Sequence, residues 1–183
     1  MGRHVLVAGA GWLGSALARA LLARGDRVTA VRRRPGLPAA LEGSAAIPLA
    51  VDLAEPGAAA RLPGDVDAVV ACQAAGSDAP EAYRRAYVDA TRALLEAARG
   101  APLVYTGSTG VFGQRDGSEV DEATPPAPAS PSAEVLVLAE RLVAGAAAGG
   151  ARACTIRLSG LYGPGRTGLV DRVRSGALAL GPG

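Results

Sequence analysis

The chain has 183 residues, 49% of them apolar, and a mean hydropathy of +0.22, enough for one domain with a substantial core, which excludes extensive disorder. Its net charge of +2 is too small for a nucleic-acid binder, and all nineteen basic residues are arginine, so Schiff-base and P-loop lysine chemistries are excluded. The single histidine, His4, argues against a histidine triad or a multi-histidine centre, and no metal site is expected.

The elements follow in chain order. HVLVA, residues 4–8, reads as a short buried strand ending in a glycine turn, and WLGSALARALLAR as a helix closed by Gly25 and Asp26. RVTAVR, residues 27–32, is a second strand, and AAIPLAVD, residues 45–52, a third, weakened by Pro48. DAVVACQAA, residues 67–75, is a fourth, with the near-continuous apolar run of a strand covered on both faces. Residues 79–100 form a long helix, with Tyr83, Tyr87, Leu94 and Leu95 near helical spacing. PLVYTGS, residues 102–108, is a fifth strand, followed by a Pro-rich loop from about Gly113 to Pro131. AEVLVLAERLVAGAAA is a helix, ARACTIRLS, residues 151–159, a sixth strand, and LVDRVRSGAL a last short helix after the turn-rich GLYGPGR.

This strict alternation predicts an α/β domain: a doubly wound parallel sheet in three α/β/α layers, without repeats or an interdomain linker. Cys72 and Cys154 both fall in apolar strands and read as small buried hydrophobes. No apolar segment is long enough to span a bilayer and no signal peptide is recognised before the first strand, so a cytoplasmic protein is expected.

Gly9-Ala10-Gly11-Trp12-Leu13-Gly14 is the strongest local motif, because it follows a strand, opens a helix and lies in a βαβ unit. Gly9 permits the tight turn, Gly11 lets a pyrophosphate approach the backbone, and Gly14 lets helix and strand pack closely. The amides and dipole at the helix start then favour phosphate. At the end of the second strand, where an NAD-preferring domain usually has an acidic residue, stand Arg32, Arg33 and Arg34. Arg32 and Arg33 suit the 2′-phosphate of NADP, so NADP is the expected cofactor, with NAD open as the alternative. Asp52, beside Leu53, is placed to reach an adenine amino group or to cap a helix beginning near Glu55.

In these motifs the chain resembles the extended and atypical short-chain dehydrogenase/reductase superfamily, most of all its NAD-dependent epimerase/dehydratase group. GAGWLG followed by VRR, then VDL at residues 51–53, carry the first part of the resemblance. CQAAG at residues 72–76 matches the family turn beside the cofactor, which adds Ala74, Ala75 and Gly76 to the expected binding residues. YVDATRALLEAA resembles a family helix usually reading Asn-Val-x-Gly-Thr, and LVYTGSTGVFG the strand ending in Ser-x-x-Val-Tyr-Gly. VDEATPPAP and IRLSGLYGPGR complete six pieces in the family's order. The resemblance implies a Rossmann fold over residues 1–183, with the family's C-terminal substrate domain absent or truncated.

The resemblance places the family's catalytic serine or threonine at Ser108, with Thr109 as the neighbouring alternative. The family's tyrosine and lysine are missing. With Glu140 matched to the family's helical glutamate, the lysine position falls on Leu136 and the tyrosine position on Ser132, where a serine after Pro131 also makes a good helix cap. Tyr162, in LYGPG, is the candidate substitute acid, the alternative being that it packs the loop. The function implied is hydride-transfer chemistry on a small hydroxyl, carbonyl or sugar-nucleotide substrate. The alternative is a non-catalytic NADP-binding module or redox sensor. The expected partner is a small-molecule substrate, with neither nucleic acid nor membrane, and self-association into a homodimer is left open.

Overall fold

The computed structural model describes residues 2–114 and 116–177. Six parallel strands form one sheet in the order β3-β2-β1-β4-β5-β6. They are β1 (His4–Ala8), β2 (Arg27–Arg32), β3 (Ile47–Ala50), β4 (Ala68–Ala71), β5 (Leu103–Ser108) and β6 (Ala153–Leu158). The order reverses between β1 and β4, the switch point where doubly wound sheets open a crevice at their carboxyl edge.

β1 lies between β2 and β4, with Val5 against Val28 on one side and Ala68 on the other. Its side chains alternate between two cores. Val5 and Val7 join Ala18, Val28 and Ala30, with Leu17, Leu21 and Leu22 of α1 (Trp12–Ala23) packed against them. Leu6 and Ala8 join Val69, Leu94, Leu103, Tyr105, Ala139 and Val143 on the opposite face. Leu94 belongs to α3 (Ala90–Ala98), and Ala139 and Val143 to α4 (Pro131–Ala148). A strand buried on both faces has no polar side to show, which explains its unbroken apolar run.

Several boundaries differ from the sequence reading. β3 spans only Ile47–Ala50 and keeps Pro48, because it is an edge strand whose missing N–H leaves no ladder partner unsatisfied. β4 stops at Ala71, and Cys72 N makes the last bond to β1, donating to the Ala8 carbonyl (2.7 Å). The helix expected over 79–100 runs as α2 (Pro80–Tyr83), a wider π-helical stretch over Arg84–Asp89, and α3. No helix begins near Glu55; a 3₁₀ turn starts at Ala58 instead, so Asp52 caps no such helix. The cap of α4 is Ser130, whose Oγ accepts from Ala133 N (3.2 Å), with Pro131 as the first helical residue; Ser132 is inside the first turn and is not the cap. The last helix, α5, covers Gly168–Arg174, and the end of the stretch expected as helix lies outside the described residues.

The register also corrects Cys154. Going outward from β1 on the α1 side of the sheet, Val7 pairs with Val70, Val70 with Val104, and Val104 with Cys154. Val70 and Val104 are half-buried, but Cys154 is exposed and Ile156 is 49% exposed. β6 is an edge strand, and among the described residues nothing covers this face. The apolar alternation of its sequence was therefore no sign of burial. Among the same residues, no helix is long and apolar enough to cross a membrane.

Candidate functional site

A cleft of about 970 Å³ lies along the carboxyl edge of the sheet, over the β1–β4 switch point. Its floor is the glycine turn. Gly9 has φ +89, and a Cβ there would fall 2.4 Å from Gln73 Cα, so the residue permits both the turn and the close passage of the segment after β4. A Cβ on Gly14 would meet the Gly9 carbonyl at 2.2 Å, so Gly14 sets the helix–strand approach. Gly11 is the opposite case. Its φ of −84 suits any residue, yet a Cβ would meet nothing within 4 Å. Its bareness is not explained by packing within the protein; it leaves a hollow above the turn. α1 begins at this hollow without a side-chain cap, so its first amides keep their donors for something else.

Arg32, Arg33, Arg34, Arg85 and Arg166 line the cleft, against one carboxylate, Asp52. Arg85, from the π-helical stretch, is already paired, donating to Asp52 Oδ2 (3.1 Å) and Glu55 Oε1 (2.8 Å), and these partners raise its pKa further above the ordinary arginine value. Asp52 Oδ1 accepts from Ala54 N (3.0 Å). Arg33 reaches across the cleft, its Nη2 3.4 Å from the point where a Cβ would stand on Gly76. Among the described residues, Arg32, Arg33, Arg34 and Arg166 have no carboxylate within ion-pair distance.

At the other end of the cleft, Ser108 closes β5. Its Oγ accepts from Gly110 N (3.0 Å), which holds the oxygen in place as the cap of a short 3₁₀ turn and leaves its own hydrogen free to be donated. Thr109 Oγ1 points to the Leu158 carbonyl at 3.5 Å. Leu136, which the sequence resemblance matched to the family's lysine, lines the cleft with Ser108 and Thr109. Ser132 stands one helical turn earlier, half-buried, with its Oγ 3.2 Å from Ser130 Oγ.

Of the residues expected from sequence, Gly9, Gly11, Trp12, Leu13, Arg32, Arg33, Asp52, Leu53, Ala74, Gly76 and Ser108 line the one cleft. Gly14 supports it from behind, and Ala75 is outside its lining. Tyr162 is 63% exposed and is not part of the lining. The tyrosine that does face the cleft is Tyr87, in the π-helical stretch, its ring tilted against Tyr83 with centroids 5.2 Å apart. Burial pushes its pKa up, and the backbone of Ala75 partly offsets this. Tyr87 is in the family-like YVDATR segment, the one signal that could have found it. Gln73, Arg85 and Arg166 were also missed. The Gln73 amide Nε2 donates weakly to Thr91 Oγ1 (3.4 Å), while its buried Oε1 has no partner among the described residues.

Strand order and glycine turn together define a Rossmann-type α/β domain. The chain belongs to the NAD dependent epimerase/dehydratase family, whose pattern it matches over residues 5–179. Among solved structures it is similar to MoeE5 in complex with UDP-glucose and NAD, at 31% identity and a TM-score of 0.74, covering 90% of this chain and 56% of that one. It is also similar to TunA, an NAD-dependent NDP-hexosamine 5,6-dehydratase of tunicamycin biosynthesis, at 27% identity and 0.68, over 85% of this chain and 54% of that one. A UDP-galactose 4-epimerase, at 23% identity and a TM-score of 0.75 over 94% of this chain and 63% of that one, shares the fold alone. No curated protein matches the chain. The chain thus spans little more than half the length of MoeE5 and TunA.

Proposed function

We propose that the chain is the dinucleotide-binding domain of an NAD(P)-dependent oxidoreductase or epimerase acting on a small hydroxyl or carbonyl substrate, with a sugar nucleotide as the class the likeness to MoeE5 supports. The observation that carries the reading is the hollow over Gly11, facing the uncapped start of α1 in a cleft lined by arginines that, among the described residues, mostly lack a carboxylate partner. A pyrophosphate fits that hollow by charge and by donor geometry. The orphaned Gln73 Oε1 in the same cleft is a further acceptor for a ligand donor.

In this reading Arg32 and Arg33 take the 2′-phosphate of NADP, and Asp52 faces the adenine. The cofactor, when bound, supplies the hydride chemistry. Ser108, held by Gly110 N, donates its hydroxyl hydrogen to the substrate's reacting oxygen. Tyr87 is the phenol that faces the cleft, and its raised pKa suits a proton donor better than a base at neutral pH. A cytoplasmic setting belongs to the same reading, supported by two free thiols.

Calorimetry tests the cofactor assignment. NADP(H) is expected to bind more tightly than NAD(H), and Arg32→Asp should weaken NADP binding by about 1.5–3 kcal/mol, the worth of a charge-assisted contact. Equal affinities in the parent protein would sink the arginine argument. One observation favours the second reading, a non-catalytic NADP-binding module: Leu136, which the sequence resemblance matches to the family's lysine, puts an aliphatic side chain in the cleft lining. Cofactor binding with no hydride exchange over a panel of carbonyl compounds and sugar nucleotides would decide for that module.

A further inference from the structure

After β6 the chain makes the tight turn Gly163-Pro164-Gly165-Arg166. Gly163 and Arg166 close it with a reciprocal pair of backbone hydrogen bonds, Arg166 N to Gly163 O (2.9 Å) and Gly163 N to Arg166 O (3.1 Å). Proline second and a glycine at φ +75 third are the signature of a type II turn. The closing bonds leave the Pro164 carbonyl free, and it accepts from Trp12 Nε1 at 2.9 Å. Trp12 belongs to the glycine turn, so this bond ties residues 152 positions apart. Two further contacts tighten the junction. A Cβ on Gly163 would stand 3.0 Å from the indole ring, so a larger residue there would push turn and indole apart by a few tenths of an ångström. The Arg166 guanidinium stacks over the indole at 5.6 Å from the ring centroid.

The turn therefore delivers a guanidinium to the rim of the hollow over Gly11. Arg166 lines the same cleft as Gly9, Gly11, Trp12 and Leu13, and among the described residues no carboxylate pairs with it. It stands at the phosphate turn, whereas Arg32, Arg33 and Arg34 follow β2. We propose that the Gly163–Arg166 turn is a phosphate clamp, in which Arg166, held on the Trp12 indole, binds the pyrophosphate of the dinucleotide seated on the glycine turn. The assignment rests on the dinucleotide reading above and adds a side-chain cation to its phosphate site.

Both dinucleotides share the pyrophosphate and differ at the 2′-phosphate, which gives the clamp a distinct signature. Affinities of the parent chain and of Arg166→Gln, Arg166→Lys and Arg172→Gln are measured by calorimetry for NAD, NADP and UDP-glucose. Arg172, in α5, does not line the cleft and controls for the change in net charge. Arg166→Gln should weaken NAD and NADP by the same factor, about ten- to hundredfold, leaving the ratio between them unchanged. Arg166→Lys should recover part of the loss, and Arg172→Gln should bind as the parent does. Trp12 is the only tryptophan in the chain, so its emission should change on dinucleotide binding and the concentration for half the change should move with Arg166→Gln.

Parent-like dinucleotide affinity in Arg166→Gln overturns the clamp, as does a loss confined to UDP-glucose, which would assign Arg166 to a substrate. A loss confined to NADP overturns it too, since that places the arginine at the 2′-phosphate. Should Arg166→Gln prove unstable, Trp12→Phe provides the second test. It keeps a smaller aromatic ring beside Arg166 and removes the donor to Pro164, and unchanged affinity there would likewise end the proposal. A parent chain that binds neither dinucleotide defeats the prior reading itself, a result separable from all of these.

Discussion

Gly11 and Gly14 are one residue type in opposite roles. A side chain at Gly14 would strike the Gly9 carbonyl, whereas one at Gly11 would enter empty space. Gly11→Val is therefore expected to keep its unliganded melting temperature and to lose dinucleotide binding in calorimetry. Gly14→Ala is expected to lose about 1–3 kcal/mol in urea denaturation, the usual penalty for overpacking a filled core. Comparable destabilisation by both would mean that Gly11 is structural. Tyr105 shows another residue-level balance. Its ring is 1% exposed, its hydroxyl is buried without a partner among the described residues, and burial, with Tyr87 and Glu140 nearby, drives its pKa well above the ordinary tyrosine range. An unpaired buried hydroxyl costs stability, so Tyr105→Phe should raise the unfolding free energy by about 1 kcal/mol, and a clear loss would reveal a hidden partner.

Among elements, α4 and β6 are fastened by one ion pair. Glu140 is 7% exposed and takes three hydrogen bonds from Arg157, the shortest from Nη2 to Oε2 at 2.9 Å. Arg157 also stacks on Phe112, at 4.9 Å. Gly107 makes the pair fit, because a Cβ there would lie 2.9 Å from Glu140 Oε1. Arg157→Ala strands the carboxylate and should cost about 3–5 kcal/mol in chemical denaturation, and adding Glu140→Leu should return much of it. A cost under 1 kcal/mol for the single variant would mean water already serves Glu140. This element scale is also where the sequence was most and least legible. Strand positions, helix order and the phosphate turn follow from apolar runs and glycine spacing, which are local. The π-helical stretch left no such trace, since Arg84–Asp89 continues the apolar spacing of an ordinary helix. Yet that stretch brings Arg85 and Tyr87 to the cleft. Arg166 was equally hidden, because its value depends on Trp12, a neighbour set by the sheet order. Cys154 was misjudged because period-two alternation cannot say whether a layer lies over the strand.

For the whole molecule, the cleft occupies the carboxyl edge of the sheet, while the α1 side is progressively uncovered toward β6. The two thiols sample these two environments. Burial pushes the Cys72 thiol up to about 11, with Thr106 giving slight relief, whereas Cys154 is exposed on the open face. At pH 8 a disulfide reagent should therefore modify one thiol per chain quickly, Cys154, and Cys72 far more slowly. Two fast thiols would show that the end of β4 opens readily.

The sheet order also governs how the chain can assemble. β1 is made first, yet its partner β4 begins 64 residues after β1 starts (from His4 to Ala68), and each parallel pairing in the sheet requires a crossover. β1, β2 and β3 can associate once residue 50 has been made, burying only one flank of β1. The other flank stays a bare row of amides and carbonyls until β4 arrives. The central strand of the finished sheet is thus the exposed edge of its half-made precursor, and dependence on such distant pairings favours slow folding with a sticky intermediate.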